Sequence, residues 1–369
     1  MSNEINKETE PSHVESDGVE SGKKPTFRQK LKRHCARFWW IHVIVFIIVV
    51  LVIVLPVVYV GYPNLAQKEI NKSVLEVTNL TLFNPAPDSF DLGLTTVFHT
   101  DSKYHPRLDA FNASLQLPDS DVPFAYLDIP AMDAGDGVES QVSQRVQIAD
   151  LTEYTKYVAT TLGTEEYSIV LKGKGGLKQG GLPNTNVNYN KEIKMKGAST
   201  PLLFVCTIHS PSMYLQIGLN SLKGFNVTEF NILTTPQDDG SNANGTLVIP
   251  NPTAMTVQLG TVTLSMSVDG TPVGDATIND MILAPGDNTM EMRAVTNQTA
   301  VLGFIFNQYK DGILPIDVVG NTTTFNGQPI PYYQIPLQHN VLRLDLDVID
   351  ALERAGLAEL LGINRTAKA

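Results

Sequence analysis

Cysteine is almost absent from this chain of 369 residues, with two in all, Cys35 and Cys206. They fall on opposite sides of a long apolar run, so no disulfide can staple the C-terminal bulk within itself. About three hundred residues must then be held by hydrophobic cores, and that length supports two domains. Catalytic signatures are missing as well. There is no G-x-S-x-G, no H-E-x-x-H, no phosphate-binding P-loop and no C-x-x-C. Gly173-Lys174-Gly175-Gly176 lacks the P-loop spacing and reads as a hairpin turn. His99, Asp101 and His105 are near enough in sequence to approach a metal. However, Asp101-Ser102-Lys103 reads as a turn and Lys103 opposes a cation, so no metal site and no cofactor are expected. Glu165-Glu166 and Asp238-Asp239 sit in polar stretches where solvation explains them. His339 has no acidic neighbour in sequence.

Charge is absent where it matters most. From Ile41 to Val60 the chain reads IHVIVFIIVVLVIVLPVVYV, and seventeen of those twenty residues are Ile, Val, Leu or Phe. As a helix this run spans about 30 Å, the hydrocarbon thickness of a bilayer. On insertion scales such residues contribute roughly −0.3 to −0.6 kcal/mol each, about −7 kcal/mol together. His42 and Pro56 offset about half of that, and both lie toward the ends. Phe38, Trp39 and Trp40 form one aromatic rim, Tyr59 and Tyr62 the other. A cleaved signal peptide would be shorter, nearer the start and followed by a small-x-small site, so the run reads as an uncleaved signal anchor over 38–62.

Lys23, Lys24, Arg28, Lys30, Lys32, Arg33 and Arg37 precede the run, and only Lys68 and Lys72 follow it closely. The positive-inside rule puts the N-terminus in the cytosol and the bulk in a lumen, a type II orientation. Eight Asn-x-Ser/Thr sequons agree, all beyond the run: Asn71, Asn79, Asn112, Asn226, Asn244, Asn297, Asn321 and Asn364. Residues 61–369 carry 19 Lys/Arg against 32 Asp/Glu, an acidic balance unsuited to nucleic acid. Residues 1–37 read as a disordered cytosolic tail ending in a basic cluster that contacts the anionic cytosolic leaflet. Cys35 is placed for lipidation there.

Beyond the anchor, period-2 alternation dominates. Examples are Val262, Leu264, Met266 and Val268; Leu342, Leu344, Leu346 and Val348; and Phe111, Ala113, Leu115 and Leu117. These are half-buried antiparallel strands. Three helices are expected. Asp150–Leu162 has Asp150 as cap, Glu153 completing a capping box, and a stripe of Leu151, Tyr154, Val158 and Leu162. The others are about Asn297–Gln308 and Val348–Leu361. The order of elements repeats. Asn84-Pro85 recurs as Asn251-Pro252, Leu92-Gly93 as Leu259-Gly260, Pro123-Phe124 as Pro272-Val273, and Ala134-Gly135-Asp136 as Pro285-Gly286-Asp287. The resulting expectation is mainly β: two tandem antiparallel β-sandwiches, 63–225 and 226–369, with a few short helices.

The second copy, GTLVIPNPTAMTVQLGTVTLSMSVDGTPVG followed by INDMILAPGDN, carries the NP turn, the LG before an alternating strand, and an L-x-PG-x-N ending. In the first, NYNKEIKMKG and GLNSLKGF add to it. On these motifs residues 60–369 resemble a fungal family of single-pass proteins with an uncharacterised lumenal domain, related to the group-2 late embryogenesis abundant (LEA) domain. The resemblance implies a small antiparallel β-sandwich with one helix per copy, residence at the vacuolar membrane, and no catalytic residue to carry over. Plasma membrane and endoplasmic reticulum are the alternative locations. Residues 198–218 break the pattern between KMKG and LN, are more apolar than a loop, and read as translated intron. The chain therefore reads as a non-catalytic lumenal module binding a partner protein or an apolar or lipid ligand. The alternative is a membrane-anchored hydrolase of glycans or esters, which would need two carboxylates converging in a cleft.

Overall fold

The structure, a computed structural model, describes residues 27–164, 167–195 and 219–363. The start of the expected tail, the 198–218 segment with Cys206, Glu165-Glu166, the Cys35 side chain and Asn364 lie outside the described residues. The chain divides into two compact units, 1–60 and 61–369.

In the first unit, α1 runs Phe27–Pro56. It begins inside the stretch expected to be a disordered tail. Arg, Gln, Lys and Leu are strong helix formers and override the pull of solvation there. The helix is irregular at Phe38 (φ −120°, ψ 23°), where basic sequence gives way to apolar. Among the described residues its apolar stretch is not buried, and it is long and apolar enough to cross a bilayer. Pro56 has no N–H to give, and the backbone loosens into a π turn, Val57–Gly61.

The second unit opens with α2 (Tyr62–Lys72), longer than the expected anchor end at 62. Pro63 falls in its first turn, where proline is tolerated, and Ala66 and Ile70, one turn apart, are buried. Strands follow in chain order: β1 Val74–Ala86, β2 Ser89–His99, β3 Arg107–Leu108, β4 Phe111–Gln116, β5 Ala125–Ile129, β6 Met132–Asp133 and β7 Val138–Gln147. After α3 (Leu151–Gly163) come β8 Ile169–Lys178 and β9 Thr185–Met195. Then follow β10 Asn226–Ile232, β11 Ala243–Asn251, β12 Met255–Val268, β13 Thr271–Leu283 and β14 Gly286–Thr296. Helix α4 (Gln298–Asn307), β15 Ile313–Phe325, β16 Gln328–Pro329, α5 (Pro331–Gln338), β17 Val341–Asp347 and α6 (Val348–Arg354) complete the described chain.

The fold is mainly β, in two sheets with a few helices. One pairing pattern recurs. The antiparallel order β5–β4–β8–β9 recurs as β13–β12–β15–β17. One helix precedes the third strand of each set, α3 and α4. The halves share more than a linker. Leu80, Thr81 and Leu82 of β1 pair in parallel with Met255, Thr256 and Val257 of β12, so one sheet runs through residues of both expected sandwiches. Helix α5 meets α3 at an aromatic cluster, with Tyr154 and Tyr332 ring centroids 5.0 Å apart. Residues 61–369 form one compact unit with one continuous apolar core.

The repeated motifs have physical meaning. Gly260 sits at φ +84°, and a Cβ there would lie 2.3 Å from the Thr324 carbonyl oxygen. Only glycine permits that backbone turn and that approach. Asn251 is buried and its side chain is fully used. It donates to the Met255 and Leu283 carbonyls at 2.7 and 3.3 Å, and accepts from the Thr253 N–H and hydroxyl at 2.9 and 2.6 Å.

Three local expectations change. Gly173 to Gly176 is the interior of β8, not a turn. The Phe111 ring lies flat over Gly173 and Gly175 and stacks on Tyr189 at 4.5 Å, filling the space the missing side chains leave. Helix α3 is capped by Asp150, which accepts from the Glu153 N–H at 2.9 Å, but Leu151 is exposed and Tyr157 and Thr161 join Tyr154 and Leu162 inside. The Glu153 carboxylate goes to Lys156 at 2.6 Å. Helix α6 stops at Arg354, because Gly356 (φ +68°) ends it and the chain continues in turns.

Candidate functional site

The residues weighed for chemistry do not converge. His99 Nε2 lies 2.8 Å from Glu76 and its Nδ1 3.6 Å from Asp136, while the His105 ring rests against Gly135. Among the described residues no three His, Cys, Asp or Glu side chains are grouped to hold a metal. Asp239 accepts from the Ser241 hydroxyl and N–H at 2.6 and 3.0 Å and from Arg293 at 2.9 Å. Those bonds hold its carboxyl well below the usual carboxylate range, as a turn anchor. His339 is bonded at Nδ1 to the Ile335 carbonyl, 2.7 Å away. The sequons scatter over the surface. Asn71, Asn79, Asn112, Asn226 and Asn297 are exposed, and Asn244 and Asn321 are half-buried within β11 and β15.

What the structure does contain is an apolar cavity of about 250 Å³ in the C-terminal half. Its floor is the inward face of the β13–β12–β15–β17 set: Met266 of β12, Val273 of β13, Leu314 and Ile316 of β15, and Leu346 of β17. These are the alternate positions that strand periodicity turns inward. Phe230 and Ile232 of β10 form one side. Val348 and Leu352 of α6, with Leu357, Leu360 and Leu361 in the turns after it, form another. Helix α4 closes the remaining side with Val301 and Leu302.

Polarity is confined to two residues, Thr296 and Gln298. The Thr296 hydroxyl is already engaged, donating to Asn242 Oδ1 at 2.8 Å. Gln298 is exposed at the first turn of α4. The interior therefore presents hydrocarbon, which leaves water poorly bonded and favours an apolar occupant.

The two helical walls differ in how firmly they are fixed. Asp347 caps α6 through the Asp350 N–H at 2.9 Å. Arg354 at its far end bonds Asn231 Oδ1 and the Phe230 carbonyl at 2.8 and 2.9 Å and pairs with Asp350 at 2.9 Å. That ties α6 to β10. Helix α4 is capped by Asn297, which accepts from the Ala300 N–H at 3.1 Å, and only Ile305 of its ten residues is fully buried. Its sequence, QTAVLGFIFN, is apolar on most of its circumference, yet Phe306 stands 50% exposed. Leu360 at the cavity is 82% exposed. Period-2 alternation marked β4, β12 and β17. It could not show the cavity, because residues 230 to 361 meet there only through the fold.

Residues 122–266 match the profile of a protein family of unknown function (DUF3712). The matched stretch runs from the approach to β5 into β12, across both halves. No curated protein matches the chain. Among solved structures, the chain is similar to the X-ray structure of Northeast Structural Genomics Consortium target SoR45, at 11% identity over 39% of this chain and 98% of that one (TM-score 0.20). It is also similar to red sea bream transglutaminase, at 12% identity over 73% of this chain and 31% of that one (TM-score 0.20). A third is the periplasmic chaperone SfaE, at 10% identity over 73% of this chain and 98% of that one (TM-score 0.17).

Proposed function

We propose that the protein is a non-catalytic, membrane-anchored module whose C-terminal half holds an apolar ligand, an acyl chain of a lipid or fatty acid, in the cavity walled by α4 and α6. The carrying observation is the lining: aliphatic side chains on every wall, with the Thr296 hydroxyl spent within the protein. At about 30 Å³ of liquid volume per water-sized group, roughly eight methylene-sized groups fit, which suits part of a chain better than a whole lipid. Orientation completes the reading. The basic flank before α1 and the sequons after it favour a cytosolic N-terminus on an anionic leaflet and a glycosylated lumenal bulk. The motif resemblance favours descent shared with the group-2 LEA domain and residence at the vacuolar membrane.

The test is binding of a fluorescent fatty acid to the full chain in detergent, with competition by unlabelled chains of increasing length. Leu314→Trp and Val273→Phe each fill the cavity from a different strand and should weaken binding at least tenfold while thermal unfolding stays cooperative. Unchanged binding in both folded variants would sink the proposal. A fluorescent fusion that marks a membrane other than the vacuolar one would correct the location.

A further inference from the structure

Among the described residues, helix α4 buries only Ile305 fully and leaves Phe306 half-exposed, although a helix that is apolar most of the way round ordinarily needs cover. Leu302 and Phe306 lie one turn apart on one face, with Leu302 lining the cavity and Phe306 half-exposed. Leu360, on the turn after α6, lines the same cavity with most of its side chain in solvent. Exposed apolar side chains therefore stand at two places on the cavity's edge, Leu360 in its lining and Phe306 one turn beyond Leu302. Isolated exposed leucines need no explanation, but apolar exposure at the edge of an apolar cavity does.

We propose that α4 and the Leu360 turn dock on the surface of a neutral, zwitterionic lipid leaflet, so that the cavity faces hydrocarbon and exchanges an acyl chain with it. The inference rests on the cavity reading above and adds the surface from which the chain comes. Two further observations choose a lipid surface over a protein. The chain carries its own bilayer-crossing helix, so a leaflet is tethered to this unit at all times and a weak apolar contact is enough. The unit also has an excess of thirteen acidic groups, which opposes anionic lipid and leaves the neutral leaflet as the apolar partner.

The experiment places single tryptophans in the full chain, reconstituted in nanodiscs of phosphatidylcholine with or without brominated acyl chains. The native Trp39 and Trp40 give a constant background measured in the parent protein. Phe306→Trp and Leu360→Trp report on the patch. Tyr126→Trp, on an exposed site of β5, is the control. Bromine should quench the added emission at 306 and 360 at least threefold more than at 126. Equal quenching at all three positions would overturn the docking. Emission at 306 that is blue-shifted yet unquenched would place a protein there, and would overturn it too. Fatty-acid binding in detergent, measured on the same variants, separates the two proposals. Binding without quenching removes only the docking, and quenching without binding removes only the cavity reading.

Discussion

Lys191 shows how one side chain can hold two elements together. It is buried on β9 and its ammonium donates to the Ile70 and Ser73 carbonyls at the end of α2, where cations are favoured. Beside it, Gln67 exchanges two 2.8 Å bonds with the Asn188 backbone. Burial lowers the Lys191 ammonium to about 8, below the roughly 10.4 of an unfolded lysine. Between those values the unfolded chain binds more protons, so this residue's contribution to stability rises with pH across that window. The unfolding free-energy difference between wild type and Lys191→Met should therefore grow from pH 8 to pH 10. A difference that stays flat in chemical denaturation refutes the assignment. The two repeat asparagines make a second contrast. Removing Asn251 strands buried groups on both sides, so Asn251→Ala should cost roughly 2–3 kcal/mol. Asn84, its counterpart, makes an exposed bond to Asp91 at 2.7 Å, and Asn84→Gly, which tolerates the φ of +48° there, should cost less than about 1 kcal/mol by the same measurement.

At the scale of elements, the exchange of glycine for a neighbour's ring is the testable feature. Gly173 and Gly175 leave room that Phe111 fills, so Gly173→Val should destabilise by about 1–3 kcal/mol through overpacking. Phe111→Ala in the same chain should recover part of that loss. Additive costs in a double-mutant cycle would show that the ring and the glycines are not coupled. The cap of α3 is simpler, and Asp150→Ala should cost about 1 kcal/mol. These elements also mark what could be read in advance. Alternation placed β4, β12 and β17 because half-buried sheets impose period 2, and Asp150 announced α3 because a helix start needs a side-chain acceptor. The four residues Gly173 to Gly176 misled, since a run of glycine and lysine means a turn unless an aromatic residue sixty positions earlier covers it. Helix α5, with prolines at 331 and 336, hid behind residues that ordinarily break helices. The cavity left no local trace, because each lining residue looks like ordinary core until the fold brings them together.

On the scale of the whole molecule, the charge asymmetry around α1 makes a definite expectation. In sealed vesicles, protease added outside should trim only the N-terminal segment of a chain whose bulk is lumenal, and the protected fragment should lose mass on deglycosylation. Complete digestion without detergent would reverse the orientation. Exposed Asn79, Asn112 and Asn226 should carry glycans more fully than Asn321, whose sequon partner Thr323 is buried.

The parallel pairing of Leu80–Leu82 with Met255–Val257 also sets a timetable for the protein's birth. Strand β1 cannot complete its hydrogen bonds until its partner has been synthesised, and at about 5–20 residues per second that is a wait on the order of ten seconds or more. During the wait the Leu80–Leu82 stretch of β1 is an open template for any other nascent chain. Long-range pairing of this kind slows folding. A protein so arranged should depend on chaperones while its second half arrives. Chains truncated before residue 255 should then be retained and degraded, even though their own first sheet can form.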